Sequence, residues 1–227
     1  MTRGCFVTGT DTEIGKTLVT TGLLHACRRH GLSAIGMKPV AAGAAPRDEQ
    51  LINEDVEAIL AASSVEADRA LVNPYLFSPP IAPHIAASEA NATIDADHVV
   101  DCLRRLAAVA DVVIVEGVGG FRVPLRDGFD TADLACKLGL PVILVVGLRL
   151  GCINHALLTA EAMRARRLTC LGWVANQIDP EMRRQQENIA TLDELLGMPR
   201  LGYIEHLASP SAQIVASRLR LPGDLLG

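Results

Sequence analysis

Aromatic side chains are nearly missing from this 227-residue chain: one Trp, two Tyr and four Phe make up 3% of it. That scarcity removes the stacking platforms that hold single-stranded nucleic acids and most sugars. The core must then be built from Ala, Val, Leu and Ile. An excess of positive charge is missing too. Lys and Arg number 21 against 26 Asp and Glu, a net charge of −5. No electrostatic footprint for a polyphosphate backbone results, which argues against nucleic-acid binding as the main role. Cys5, Cys27, Cys102, Cys136, Cys152 and Cys170 form no CxxC pair, and no His stands at zinc spacing. They are expected to be small buried hydrophobes in a reducing compartment. Residues 1–7 hold no apolar signal core, and the longest apolar run, around Leu138 to Leu148, contains Pro141 and is too short to span a bilayer. A cytoplasmic protein without a membrane segment is expected.

What is present is a full complement of core-forming residues, 49% apolar against 21% charged. Short β-branched runs alternate with helical patterns. Strands are expected at Cys5–Thr8, Ser33–Met37, Asp111–Glu116, Pro141–Val146, Cys170–Ala175 and Arg200–Ile204. Helices are expected at Lys16–Arg29, Leu51–Ala62, His98–Val109, Asn154–Arg167, Glu181–Leu196 and Pro210–Arg218. Pro74, Pro79, Pro80 and Pro83 make 73–88 an irregular stretch. Continuous apolar strands separated by helices predict one α/β domain over 1–227, with a mostly parallel sheet flanked by helices. Ligands of such sheets sit outside the carboxyl ends of the strands, which selects loops 9–17, 38–50, 116–130, 147–154 and 176–180.

The first loop carries the clearest chemistry. Thr8-Gly9-Thr10-Asp11-Thr12-Glu13-Ile14-Gly15-Lys16-Thr17 follows a strand and opens a helix. A Gly-containing turn there aims backbone N–H groups at phosphate oxygens, Lys16 adds a mobile cation, and the Thr17 hydroxyl can ligate Mg²⁺. Five residues rather than four separate Gly9 from Gly15, an expanded form of the usual loop. Glu116, at a strand's carboxyl end and followed by Gly117-Val118-Gly119-Gly120, is the candidate for a second metal-side acid. Lys38, just after the second strand, is a second phosphate-facing cation or a solvated lysine. Asn53 or Asp55 caps a helix or faces the cleft. Asn176-Gln177-Ile178-Asp179 resembles a guanine-reading tetrad, yet Asn176 alone could pair with an adenine edge, and Asp179-Pro180 could be a turn. Base identity stays open on spacing. His155 is read as structural rather than functional, while the helix start at 151–154 offers free N–H groups to an anion.

Together VTGTDTEIGKT (7–17), KPVAAG (38–43), NPY (73–75), PHIA (83–86), VEGVGG (115–120), LPVILVVGLRLGCINHALLTA (140–160) and GWVAN (172–176) resemble the dethiobiotin synthetase family, in the right order over most of the chain. The resemblance implies a P-loop fold with a roughly seven-stranded parallel sheet. It implies an ATP- and Mg²⁺-dependent cyclo-ligase acting on 7,8-diaminopelargonic acid and CO₂, and a homodimer whose active site lies at the subunit interface. Matched position by position, Lys16 and Lys38 are catalytic, and Thr17, Asp55 and Glu116 hold the metal. Glu13, Ile14, Gly15, Lys16, Thr17, Leu18, Asp55, Glu116, Gly117, Val118, Gly119, Asn176, Gln177, Glu205, His206 and Leu207 fall on the nucleotide side. Thr12, Lys38, Ala42, Gly151, Cys152, Ile153 and Asn154 fall on the diamine side, the last four contributed by the partner subunit. Two departures stand out. Ala42 replaces the family's usual Ser, and Glu205-His206 replaces the Pro-Trp of some relatives, which with Asp179 puts strict ATP preference in question. A positioning or partitioning ATPase shares such an architecture, but it carries an extra lysine where this chain has Asp11. An amide-forming ligase on a larger acid would need a further domain to supply ammonia.

Overall fold

Six strands lie side by side, all parallel, and all but the half-buried last one are buried on both faces. The computed structural model describes residues 2–48, 50–207 and 209–226. The first half contains β1 (Gly4–Gly9), α1 (Lys16–Arg29), β2 (Ala34–Met37), β3 (Val40–Ala42), β4 (Ala45–Arg47), β5 (Gln50–Ile52), α2 (Glu54–Ala62), α3 (Arg69–Val72), β6 (Tyr75–Phe77), α4 (Pro83–Glu89) and α5 (Ala96–Ala107). Then come β7 (Val112–Glu116), β8 (Pro124–Arg126), β9 (Phe129–Asp130), α6 (Thr131–Leu138), β10 (Val142–Leu148) and α7 (Cys152–Ala165). The chain closes with β11 (Cys170–Gln177), α8 (Gln185–Leu195), β12 (Arg200–Ile204), α9 (Ala212–Arg218) and α10 (Gly223–Leu226). The central sheet runs β12-β11-β10-β1-β7-β2. Among the described residues no helix is long and apolar enough to cross a membrane.

Side chains alternate across each strand, so every strand feeds two cores. Val113 and Val115 of β7, with Leu144 and Val146 of β10, meet α5, α6 and α7 on one face. Val112 and Ile114, with Ile143 and Val145, meet Val19, Leu23 and Cys27 of α1 on the other. Burial on both faces is why these strands read as unbroken apolar runs rather than alternating ones.

Among the described residues the central sheet has the six strands read from the apolar runs, one fewer than the resemblance implies. Beyond Lys38 the chain leaves it at Pro39, and β3 pairs with β6 in a separate two-stranded ribbon. The helix expected from Leu51 begins at Glu54, because Gln50–Ile52 is taken up in a hairpin with β4 and Asn53 is the cap. The irregular stretch 73–88 contains β6 and most of α4, whose first residue is Pro83, where a missing N–H costs nothing. Four cysteines are buried as expected, but Cys136 is exposed and Cys170 half-buried.

Helix α6 escapes the hydrophobic pattern and is fixed by its ends. The Asp130 carboxylate accepts from the N–H groups of Ala132 (2.9 Å) and Asp133 (3.0 Å), and Asp133 accepts from the Asp130 N–H (3.0 Å). Asp130 also pairs with Arg122 and, at 3.7 Å, Arg166. Burial alone would raise its carboxyl, but the Asp133 N–H and the two guanidinium groups hold it below the ordinary value. Asp130→Ala should therefore lose about 1–2 kcal/mol in urea unfolding at pH 7. A depressed carboxyl contributes stability above its unfolded pKa and loses it as pH falls through the folded one. The gap between the two proteins should thus narrow on acidification below pH 4; a gap unchanged with pH would contradict the ionic part of this account.

Candidate active site

Sheet register brings the cationic and acidic candidates together. Val7 of β1 stands opposite Glu116 of β7, and Met37 of β2 opposite Val115. Glu116 therefore ends its strand between the phosphate loop and Lys38. Gly15 caps α1 with φ 86°, a conformation that favours Gly, and a Cβ there would come within 2.2 Å of the Asn176 amide. The loop's only large apolar residue, Ile14, is buried beneath it.

The resulting cleft, about 850 Å³, is lined by Thr12, Glu13, Gly15, Lys16, Thr17, Lys38, Ala42, Asp55, Glu116, Val118 and Gly119 among the expected residues. At its floor Glu116 is 0% exposed, Lys38 4% and Lys16 7%. Glu116 Oε1 accepts both the Lys38 ammonium (2.7 Å) and the Thr17 hydroxyl (2.8 Å). Asp55, in the first turn of α2, takes a second bond from Lys38. Glu116 Oε2 is buried with no protein partner. Lys16 Nζ donates to the Asp11 carbonyl (2.8 Å).

These charges decide one another's protonation. Burial would lower the Lys38 ammonium, but Glu116 and Asp55 outweigh it and hold it above the ordinary lysine value. Burial likewise opposes ionisation of Asp55, and Lys38 and Thr17 overcome it, keeping the carboxyl low. Lys16 goes the other way. Burial, aided by the Lys38 charge, brings it down to about 8 against the pull of Glu116, Asp55 and Asp11.

Asn53, not Asp55, caps α2: its side chain accepts from the Val56 N–H (3.3 Å) and donates to the Ala42 carbonyl (3.1 Å), tying helix to ribbon. Asp55 is thereby left free to face Lys38. Three positioning contacts were not foreseen. Asn73 Nδ2 donates to the Lys38 carbonyl (2.6 Å), and Lys38 N donates to the Val72 carbonyl (2.8 Å), fixing the backbone beneath the ammonium. Asp11 pairs with Arg149 across the sheet end. Only Asn73-Pro74, an extended-turn signal, hinted at the first.

The remaining candidates lie outside this cleft. Leu18 is half-buried on α1 and Gly117 is buried behind Glu116. Asn176 is buried and donates to the Ile14 carbonyl (2.8 Å), under the phosphate loop. Gln177 accepts from the His206 N–H (3.0 Å), so it touches the 205–207 loop. Glu205 pairs with Arg218 (2.6 Å), and Leu207 packs against the α1-side core. Asp179 accepts from the Glu181 N–H (2.9 Å), the turn alternative. Segment 151–154 does not line the cleft. Gly151, at φ 95°, caps α7 with no side-chain bond, so the helix expected from Asn154 begins at Cys152. Gly151, Asn154 and His155 are exposed, Cys152 is buried and Ile153 half-buried.

The chain matches the model of a family described as an AAA domain over residues 3–213. It is 57% identical over 221 residues to the ATP-dependent dethiobiotin synthetase BioD of Aromatoleum aromaticum, covering 97% of this chain and 98% of that protein. Among solved structures it resembles the MinD cell division protein of Aquifex aeolicus with a TM-score of 0.55 and 13% identity, over 96% of this chain and 88% of that one. A ParA family ATPase from Chlorobium tepidum gives a TM-score of 0.55 at 15% identity, over 100% and 98%. At such identities the likeness is one of fold, that of P-loop nucleotide hydrolases.

Proposed function

Since the chain belongs to the ATP-dependent dethiobiotin synthetase family, we propose that the Lys16–Lys38–Glu116 cleft is where it carries out that family's reaction. The enzyme joins CO₂ to 7,8-diaminopelargonic acid and closes the ureido ring, consuming ATP and giving dethiobiotin, ADP and phosphate. One amine takes up CO₂ as a carbamate. A carbamate oxygen attacks the γ-phosphorus, and the bond to ADP breaks. The second amine then attacks the carbamoyl carbon and loses a proton, and phosphate leaves with the former carbamate oxygen.

The observation that carries the assignment of residues is Lys38: a buried ammonium held charged by Glu116, in the same cleft as the phosphate-loop lysine. Charge in phosphoryl transfer spreads over the transferring oxygens, so fixed cations act by positioning and electrostatics. Lys16 is assigned to the β- and γ-phosphates and Lys38 to the carbamate and γ-phosphate. The backbone of 13–18 and the Gly117–Gly119 turn complete the phosphate side, and Thr12 and Ala42 face the diamine.

Mg²⁺ fits the donors present. Thr17, Asp55 and Glu116 form an all-oxygen set, and the unpartnered Glu116 Oε2 supports it. When bound, the ion would neutralise phosphate charge. Among the described residues no group of three or more His, Cys, Asp or Glu could hold a metal by itself. Mg²⁺ ordinarily shares one or two carboxylates with substrate phosphates, which matches this arrangement.

The diamine's far carboxylate needs an anion site away from the phosphate loop, and the N–H groups opening α7 are assigned to it from the partner subunit of a homodimer. Leu150, 93% exposed, and the exposed Leu158 support an association surface there. Mixing Lys16→Ala subunits with Gly151→Pro subunits, each checked for folding by circular dichroism, should restore about one working site per heterodimer. No recovery from two folded variants would place the site within one chain. The activity itself is tested with ¹³C-bicarbonate. Dethiobiotin one mass unit heavier is expected, and ADP formation without that product would contradict the assignment.

A further inference from the structure

We propose that Gln177 sets nucleotide selectivity by fixing the backbone of the 205–207 loop rather than by touching the base. The inference rests on the family assignment above in one respect, that Asn176 and residues 205–207 fall on the nucleotide side and so flank the base.

Asn176 and Gln177 are neighbours at the end of β11 and engage different parts of the structure. Asn176 reaches the phosphate loop at the Ile14 carbonyl. Gln177 Oε1 receives the His206 N–H at 3.0 Å and lies 3.0 Å from the Tyr203 hydroxyl. The orientation of the Gln177 amide is fixed by chemistry: a backbone N–H can only donate, so the group facing it must be the oxygen. Tyr203 also lies 3.2 Å from Gln185 Oε1, while Gln185 Nε2 is buried with no partner. Turning the Gln185 amide over gives its buried nitrogen an acceptor. Its nitrogen then donates to the tyrosine oxygen, and the single Tyr203 proton goes to Gln177.

The loop is thus tied at three successive residues, by Glu205 to Arg218, by the His206 N–H to Gln177 and by Leu207 to the core. Of these hydrogen bonds and ion pairs, only the His206 bond comes from the strand that carries Asn176. It sets the gap between Asn176 and the loop. The acids able to read a base are engaged elsewhere, Glu205 with Arg218 and Asp179 with the Glu181 N–H. Selectivity then falls to the loop's backbone groups, which discriminate only if the gap is held.

The test measures steady-state rates with ATP, GTP and CTP at saturating diamine and bicarbonate. Gln177→Met keeps length but removes the acceptor. It should raise the KM for ATP about tenfold, leave kcat within about twofold, and narrow the preference for ATP by a similar factor. Gln177→Glu, which still accepts both bonds, should restore wild-type values. Gln177→Ala serves if the methionine disturbs folding, and the same split is expected. An equal fall in kcat with every nucleotide, or no rescue by Glu, would overturn the proposal in favour of a merely structural residue. Asn176→Ala separates the two levels. If it raises the KM for ATP while the Gln177 variants do not, the positioning role is wrong. If neither residue matters, the base lies elsewhere and the underlying assignment falls too.

Discussion

Lys38→Met should lower kcat about a hundred- to a thousandfold, the usual loss when one fixed electrostatic donor is removed from a developing charge. ADP affinity, measured by calorimetry, should stay within about threefold, because the proposed partner of Lys38 is charge that forms only as the carbamate meets phosphorus. The geometry supports that division. Lys38 is buried, held by Glu116 and Asp55, and its backbone is pinned by Asn73 and Val72. Removing it also leaves Glu116 buried with only the Thr17 hydroxyl, so the variant should be less stable by a few kcal/mol (about 3–5 for breaking a buried pair). Activity must therefore be measured well below its melting temperature. Equal losses in kcat and nucleotide affinity would move Lys38 to simple phosphate binding.

Lys16→Ala should show the opposite balance. Among the described residues its ammonium makes one hydrogen bond, to the Asp11 carbonyl, and no ion pair within 4 Å. Stability should stay within about 0.5–1.5 kcal/mol of the wild type, the worth of that single bond. Turnover should fall by about a thousandfold or more, with ATP binding weakened as well, since the cation meets phosphates in both ground and transition states. Near-normal turnover at saturating ATP would remove Lys16 from the site. A grossly unstable variant would mean that the lysine is a packing residue.

Much of this site was legible because its parts are local. Gly15-Lys16-Thr17 at a strand–helix junction and Glu116 at a strand end each announce themselves within a few residues. Asp55 was not decidable that way. Asn53 and Asp55 are both good caps, and the bond that Asn53 accepts from the Val56 N–H shows which one is left to face Lys38. From its own neighbours Lys38 could not be told from a solvated lysine; the resemblance assigned it, and the register that sets Met37 beside Val115 brings it to Glu116. Short elements fared worst. Four prolines masked β6 and α4, and α6 is defined by its Asp130–Asp133 cap and its Gly139 end rather than by hydrophobic period. The six strands read from the apolar runs are the six of the central sheet, and the extra one came only from the family resemblance. Contacts such as Arg149 with Asp11 join residues 138 apart and leave no trace in spacing.

The carbamate's attack on ATP is best tested by following oxygen. With ¹⁸O-labelled bicarbonate, ATP and the diamine, in a reaction short enough to limit exchange with water, the released phosphate should carry one ¹⁸O. That atom belonged to the carbamate, bonded to the γ-phosphorus and left with phosphate when the ring closed. Phosphate release should also be negligible without the diamine. Phosphate that takes its new oxygen from ¹⁸O-water instead, or that forms at the same rate with diamine omitted, would mean that water attacks the γ-phosphorus and that the chain is a nucleotide hydrolase rather than a ligase.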